Sequence, residues 1–337
     1  MIDAATKLIE QQPRGMLITQ RDLDMLQSLG TAPFLTTEAL EWLHFPHRRP
    51  YWEEWLQARQ FAAPRPVHYL VTRQVYGRIT LLERGGYLHR IVQPVAQTGT
   101  AGGRERDAFL LSEAGARLLM NERDTPADEL VWFRQRKRAT QRTAHAVEIG
   151  QVYAAFRAKI DHMPGVRMVD WKGEHHTLHQ YDRVQVQRRT ASGSLESVSV
   201  GIQPDATFEL RHSGGSERVF VEVDRGTRAL ETWRQKMLAY RAYMGSSVLK
   251  QRYGTDTFIL LATAPSPTQL RQLMRITGEV LGTGSNRHLF CLEQDVHPLT
   301  IGAAWQKITA VRKVEKTRNG TPYQTTEVET APHTFLQ

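Results

Sequence analysis

A short alternating segment near the middle of the chain constrains the fold more than any other feature. Within Arg218–Asp224, the valines at 219, 221 and 223 alternate with larger or charged residues, which is the period of a β-strand. The preceding Ser-Gly-Gly sequence is a turn signal, and Asp205–His212 reads as a second strand. The sequence therefore predicts an antiparallel hairpin in which Glu222 and Asp224 share one face.

The predicted register of this hairpin brings acidic residues together. A turn centred between Gly214 and Gly215 places Asp205 opposite Asp224 and Thr207 opposite Glu222. Directly opposed residues share a face with Cβ atoms about 5 Å apart, and diagonal neighbours lie within about 8 Å. We therefore expect the three carboxylates to converge on one spot, an arrangement that a slip of one residue would scatter.

Crowded carboxylates repel each other unless a cation lies between them. Oxygen ligands with high local charge select Mg²⁺ or Mn²⁺, and such an ion can activate water and offset charge on a phosphodiester. We expect Asp205 and Glu222 to be metal ligands and Asp224 to assist. The alternative is that the acids are exposed strand residues paired with Arg218 and Arg225.

The surrounding sequence is typical of an α/β sandwich. An apolar strand of the buried, parallel-sheet kind spans Thr257–Ala262, and helices and strands alternate around it. Residues 307–337 predict an extended C-terminal tail. The other predicted elements of this half are helices at 144–160, 228–244 and 267–281, and strands at 166–170, 183–189, 197–201 and 288–293.

The N-terminal half has the pattern of a winged helix-turn-helix. Three helices, at 20–29, from Thr36–Thr37 and at 67–83, precede two strands, at 87–92 and 107–111, and a helix at 113–120. The third helix would enter the major groove, with the strands as the wing; the alternative is a small helical module for protein contact. The predicted DNA-contacting residues are Arg73, Gln74 and Arg78 on the third helix and Arg104 on the wing.

The predicted domain order follows from these patterns. Residues 1–16 form a tail, 17–122 the winged helix, 123–143 a basic linker, 144–306 the α/β domain and 307–337 the C-terminal tail. Arg136, Lys137 and Arg138 of the linker are either a solvated helix face or phosphate contacts.

Composition limits the class of protein. The chain has 44 Lys and Arg against 35 Asp and Glu, a net charge of +9, which favours an anionic partner such as nucleic acid. Cys291 is the one cysteine, so an internal disulfide or a multi-cysteine zinc site is excluded. His175 and His179 lack the intervening glutamate of a zinc protease. The polar N-terminus and the lack of long apolar runs predict a soluble cytoplasmic protein without membrane contact.

The motif Pro204-Asp205 followed by Glu222-Val223-Asp224 resembles the PD-(D/E)XK signature of restriction-endonuclease-like nucleases. The resemblance implies that the Asp and the Glu bind metal and that a lysine two residues after the Glu positions the attacking water. Asp224 stands where that lysine belongs, but Lys236 on the following helix could take its role and shares a helix face with Tyr240. Glu148 matches a further acid of the fold or is an ordinary helix-surface residue.

Most of the chain is similar to the replication-relaxation family of plasmid and mobile-element proteins. The similarity is carried by Pro204-Asp205-Ala206, Glu222–Thr227 and Lys236–Tyr240. It implies a role in replication, relaxation or mobilisation of mobile DNA. Two functions remain open, a metal-dependent DNA endonuclease or nickase and a non-catalytic DNA-binding accessory protein. A plain transcriptional regulator would leave the acids unexplained. Expected partners are double-stranded DNA, replication or DNA-transfer proteins, and a second copy of the chain.

Overall fold

The computed structural model describes residues 16–50, 52–53, 73–93, 106–134, 141–189, 193–227, 229–318 and 321–336. It is a mixed α/β protein whose internal contacts divide the chain into two units, 1–158 and 159–337. No helix in these ranges is long and apolar enough to cross a membrane. Arg104, Arg136, Lys137 and Arg138 lie outside the described residues.

The first unit contains helices and a small antiparallel sheet in the predicted order. Its sheet has the strand order β1-β3-β2. The elements are α1 (Gln20–Thr31), β1 (Leu35–Thr36), α2 (Thr37–His44), α3 (Arg73–Arg84), β2 (Leu88–Gln93), β3 (Arg106–Leu111), α4 (Glu113–Arg123) and α5 (Gln141–Ile160), the last of which ends two residues past the boundary at 158.

Local signals explain where these helices begin. Thr19 and Asp22 form a capping box at the start of α1. Thr36 and Ser112 accept hydrogen bonds from backbone N–H groups in the first turns of α2 and α4. These caps fix where the helices begin, and Leu26 of α1 is fully buried.

The second unit is built on a seven-stranded mixed sheet with the order β12-β11-β10-β9-β8-β7-β4, beside a two-stranded sheet of β5 and β6. Its helices are α6 (Glu174–Thr177), α7 (Leu230–Tyr243), α8 (Ser247–Tyr253) and α9 (Pro267–Leu281). Its strands are β4 (Arg167–Gly173), β5 (Asp182–Arg189), β6 (Leu195–Ile202), β7 (Ala206–His212), β8 (Gly215–Val223), β9 (Ile259–Ala264), β10 (His288–Leu292), β11 (Trp305–Arg318) and β12 (Thr321–His333).

Parallel pairing of β8, β9 and β10 forms the middle of the large sheet. Every residue of β9 is buried, as its apolar sequence predicts. Residues of α7 and α9 pack with the sheet in one hydrophobic cluster, in which the rings of Phe220 and Phe258 stack with centroids 4.4 Å apart. This cluster fixes α7 against β8, the strand that carries Glu222.

Two features of the second unit differ from the sequence-based expectation. The hairpin register is shifted, because His212 pairs with Gly215 and the turn is Ser213-Gly214. Gly215 lies inside the strand with φ 129°, a conformation that favours glycine. The C-terminal segment, expected to be a tail, is instead a long hairpin in which β11 pairs with β10 and β12 pairs with β11.

Candidate active site

Three acidic residues lie where the hairpin of β7 and β8 ends. Glu222 is fully buried, and Asp205 and Asp224 are 5% and 4% exposed. The ladder ends at the pair Ala206–Val221, and the Asp205 N–H donates to Val221 O at 3.0 Å, so Asp205 lies beside the end of the ladder, next to Glu222, and does not pair with Asp224. The shift from the predicted register amounts to two residues, and an even shift keeps the parity that the sequence predicted.

Two side chains of α7 bind the Glu222 carboxylate. The Lys236 ammonium donates to Oε2 at 2.5 Å, and the Tyr240 hydroxyl donates to Oε1. The two donors are one helical turn apart on a 14-residue helix, so they reach the same carboxylate. Their hydrogen bonds offset the cost of burying its charge. The sequence-based expectation that Lys236 and Tyr240 share a helix face agrees with this geometry.

The other two acids are held by different elements. Asp205 Oδ2 accepts a hydrogen bond from the backbone N–H of Val223 at 2.8 Å, within the hairpin. Asp224 Oδ2 accepts one from the side-chain amide of Gln269 at 2.7 Å, and its own N–H donates to Thr263 O. Gln269 is on α9, and no feature of the sequence pointed to it.

The three acids do not form a single cluster. In the ranges that the structure describes, no group of three or more His, Cys, Asp or Glu side chains could hold a metal ion together. The expected convergence of all three carboxylates is therefore not observed. The hydrogen bonds instead join Glu222 to Lys236, and Asp205 to the backbone of Val223, the residue after Glu222.

The donor set nevertheless fits a hard divalent cation. Two carboxylates on neighbouring strands offer only oxygen ligands, and Mg²⁺ is usually held by one or two carboxylates while it keeps several waters. A softer transition metal would require imidazole or thiolate ligands. Asp205 and Glu222 are thus the pair whose chemistry suits Mg²⁺ or Mn²⁺.

Arg218 does not take the role that the alternative interpretation gave it. Its guanidinium contacts Asp170 at 3.1 Å and lies over the Tyr253 ring, 4.3 Å from the centroid. Its other ion pair is with Glu209 at 3.9 Å. This arginine therefore links β8 to strands β4 and β7 at a point several residues along β8 from Glu222. The cation that contacts Glu222 is Lys236.

The candidate DNA contacts of α3 are only partly as expected. Gln74 is exposed, whereas the Arg78 guanidinium binds the buried Asp22 carboxylate and donates to Leu17 O at 2.7 Å. The prediction that Arg78 faces outward is therefore wrong, because a buried acid of α1 requires its charge. Burial alone would raise the pKa of Asp22, but hydrogen bonds from Arg78 and Thr19 outweigh it and lower that pKa. Arg73 is the first residue of α3.

The histidine-rich segment has no metal-site geometry. His175 and His176 belong to the short helix α6, with ring centroids 4.0 Å apart. Burial lowers the pKa of His175 to about 3, and the neighbouring His176 and His179 add to the shift. His179 is exposed and follows the helix, so it does not join the other two in a ligand group that the structure describes. Glu148, on α5, lies in the first unit.

Comparison with known families decides the affiliation. The model of the replication-relaxation family matches residues 26–259, well over half of the chain. This protein belongs to the replication-relaxation family. The membership connects it with the replication and mobilisation of mobile DNA elements. No curated protein matches the chain.

The matched span of the replication-relaxation family shows which parts are shared. It begins within α1, includes the acids and both donors of α7, and ends at the first residue of β9. Gln269 of α9 and the long β11–β12 hairpin lie beyond it. The candidate site thus falls largely inside the family region, whereas the C-terminal hairpin is outside it.

Proposed function

We propose that this replication-relaxation protein binds duplex DNA and that its second unit is a metal-dependent endonuclease or nickase of the PD-(D/E)XK type. One observation carries the proposal. The ammonium of Lys236, from the helix after the hairpin, contacts the buried carboxylate of Glu222, and the Asp205 carboxylate accepts a hydrogen bond from the N–H of Val223, the residue after Glu222. Two carboxylates that would hold a metal ion, with a lysine beside them, supply the groups that favour phosphodiester hydrolysis.

Each residue has a separate role in this proposal. Asp205 and Glu222 would hold Mg²⁺ or Mn²⁺, and the bound ion would supply an activated water and charge stabilisation at the phosphodiester. Lys236 orients the water or offsets charge on the phosphate oxygens, because its ammonium already lies at the carboxylate. Asp224, fixed by Gln269, assists from the end of β8.

The first unit is proposed to be the winged helix that grips DNA. Its helices and its three-stranded sheet follow one another in the order of that fold. Gln74 is exposed on α3 and would contact a base edge or phosphate, and the net charge of +9 favours DNA. Arg73, Arg104, Arg136, Lys137 and Arg138 complete the proposed contact set.

Nicking of supercoiled plasmid tests the enzyme proposal. Wild-type protein with Mg²⁺ or Mn²⁺ should convert supercoiled plasmid to open circles, and Asp205→Asn or Glu222→Gln should lower the rate at least about 100-fold. Lys236→Met should lower it similarly. Asp256→Asn, which removes a carboxylate that is 59% exposed, is the matched control and should cut at the wild-type rate. Cutting that persists in both acid variants would exclude this site.

A second function is a non-catalytic DNA-binding accessory protein with a nuclease-like scaffold. The observation that favours it is the engagement of both Glu222 oxygens by Lys236 and Tyr240. Firm DNA binding without cleavage under any divalent metal would select this alternative over the enzyme.

A further inference from the structure

The C-terminal hairpin extends beyond the sheet to which it belongs. β10 pairs with β11 at Leu289–Lys307 and Phe290–Gln306, near the start of β11. From Ala310–Glu329 to Arg318–Thr321 the partner of β11 is β12. We call the residues 312–318 and 321–327 the distal ribbon. It is a two-stranded structure whose described side chains are mostly exposed.

The base of the hairpin is anchored in the hydrophobic core. Ile308 is 2% exposed, and Val311 and Val328 pack against the cluster formed with α9. The contact is close, since a Cβ atom on Gly278 of α9 would lie 2.5 Å from a Val311 methyl. The distal ribbon is therefore held in a defined direction by a rigid base.

Charge is divided unequally between the two strands. The cations of the ribbon, Arg312, Lys313, Lys316 and Arg318, are all on β11. Lys313 makes no ion pair with any residue in the described part of the chain. Arg312 pairs with Glu329 at 3.2 Å and Lys316 with Glu327 at 2.5 Å, with side chains about half exposed or more. Exposed pairs of this kind are weak and exchange readily for a phosphate.

The opposing strand β12 supplies polar groups. Gln324, Thr325 and Thr326 lie opposite Glu315, Val314 and Lys313. A two-stranded antiparallel ribbon has the width that the major groove of B-DNA admits. We propose that the distal ribbon is a second DNA-binding element, in which β11 contacts phosphates and β12 faces the groove. This inference rests on the part of the proposed function that says the protein binds duplex DNA.

The ribbon can be altered without disturbing the carboxylates. Glu222 pairs with Ala262, Ala262 with Phe290 and Phe290 with Gln306, so these residues form one row across the sheet. β11 runs from that row towards the opposite edge, which places Lys313 about 20 Å from it along the strand direction. The ribbon and the acids are thus separate targets for substitution.

Anisotropy of a fluorescent duplex, measured with full-length protein over a series of salt concentrations, tests the proposal. The double variant Lys313→Gln/Lys316→Gln should weaken binding about 10-fold at low salt and reduce the salt slope by about 2. Glu327→Gln removes an acid beside Lys316 and should tighten binding about threefold. The matched control Arg211→Gln/Lys250→Gln removes two exposed cations elsewhere in the second unit and should bind as the wild type does.

The outcomes separate the ribbon from the general DNA proposal. Opposite effects of the lysine and the Glu327 substitutions, with an unchanged control, support the ribbon, since a merely structural role would not produce opposite signs. If the wild type binds DNA and neither variant alters the affinity, the proposal for the distal ribbon is overturned, whereas the proposal that the protein binds DNA is retained. If the control variant loses as much affinity as the lysine variant, the effect comes from the overall charge of the protein, and the proposal for the distal ribbon is also overturned. Absence of wild-type binding at low salt overturns both proposals.

Discussion

At the scale of single residues, a carboxylate without exposed surface persists in a fold only when neighbouring groups satisfy it. Glu222 meets this condition through one cation and one hydroxyl from the same helix face. The arrangement makes Tyr240 a positioning residue, because it acts on Glu222. Its ring also packs against Phe220 and Phe258, with centroids 5.8 Å and 5.4 Å away. The hydroxyl can therefore be removed while the packing is kept.

We expect Tyr240→Phe to lower the free energy of unfolding by about 2 kcal/mol, because a buried charged acceptor loses a donor. Urea denaturation followed by circular dichroism measures the effect. Tyr181→Phe, on a side chain that is 37% exposed, is the control and should change stability by less than about 0.5 kcal/mol. Equal stability of the Tyr240 variant and the wild type would mean that the hydroxyl does not support Glu222.

At the scale of elements, two glycines of the first unit differ in their surroundings. A Cβ atom on Gly115 of α4 would overlap the Tyr87 carbonyl oxygen, so the helix packs directly on the backbone that precedes β2. A Cβ atom on Gly77 of α3 would have no atom of the described residues within 4 Å. The first glycine is required for packing, whereas the second only lowers helix propensity.

Alanine substitutions at these two glycines should therefore have opposite effects. Gly115→Ala should destabilise the first unit by about 2 kcal/mol or more, since backbone atoms must move apart. Gly77→Ala should stabilise it by about 1 kcal/mol through helix propensity. Thermal unfolding of the two variants and the wild type is the measurement. If both substitutions changed the stability in the same direction, the packing of α4 on this backbone would be contradicted.

Most elements could be predicted from the sequence because periodicity and caps are local signals. The helix at 267–281 has the predicted limits, and the strands of the β7–β8 hairpin were placed within a few residues. The parity of the hairpin register was also predictable, because the observed shift is an even number of residues.

Two of the failures depend on contacts between distant segments. The ion pair of Arg78 with Asp22 and the hydrogen bond of Gln269 to Asp224 join parts whose approach no local pattern specifies. The hairpin turn was misplaced because Ser213-Gly214-Gly215 offers more than one position for a two-residue turn. The pairing of β11 with β12 was missed for a different reason. Its polar, two-sided sequence lacks the alternation that marks a half-buried strand.

At the scale of the whole molecule, acid should destabilise the protein through buried histidines. His288 is 5% exposed, and burial, with Arg287 nearby, lowers its pKa from 6.5 to about 4. The unfolded chain binds the proton more readily, so the stability present above pH 6.5 is lost as the pH falls towards 4. The loss from this group is about 3 kcal/mol. His288→Leu should reduce the decrease in the free energy of unfolding between these pH values, as measured by urea denaturation.

The control for the acid effect is His162→Leu, on an exposed residue of the same unit. It should retain the wild-type pH dependence. A His288 variant that is as acid-sensitive as the wild type would assign the loss of stability to other groups.

The position of Glu222 on β8 has one more consequence. β8 is flanked by β7 and β9 in a sheet of seven strands, so the backbone there opens only when much of the second unit does. Amide hydrogens of this stretch, that of Val223 on Asp205 among them, should exchange with solvent deuterium at rates set by global unfolding. A site built this way is lost when the domain melts and not by local fraying, so we expect temperature-sensitive substitutions of this protein to lie in the core of this unit.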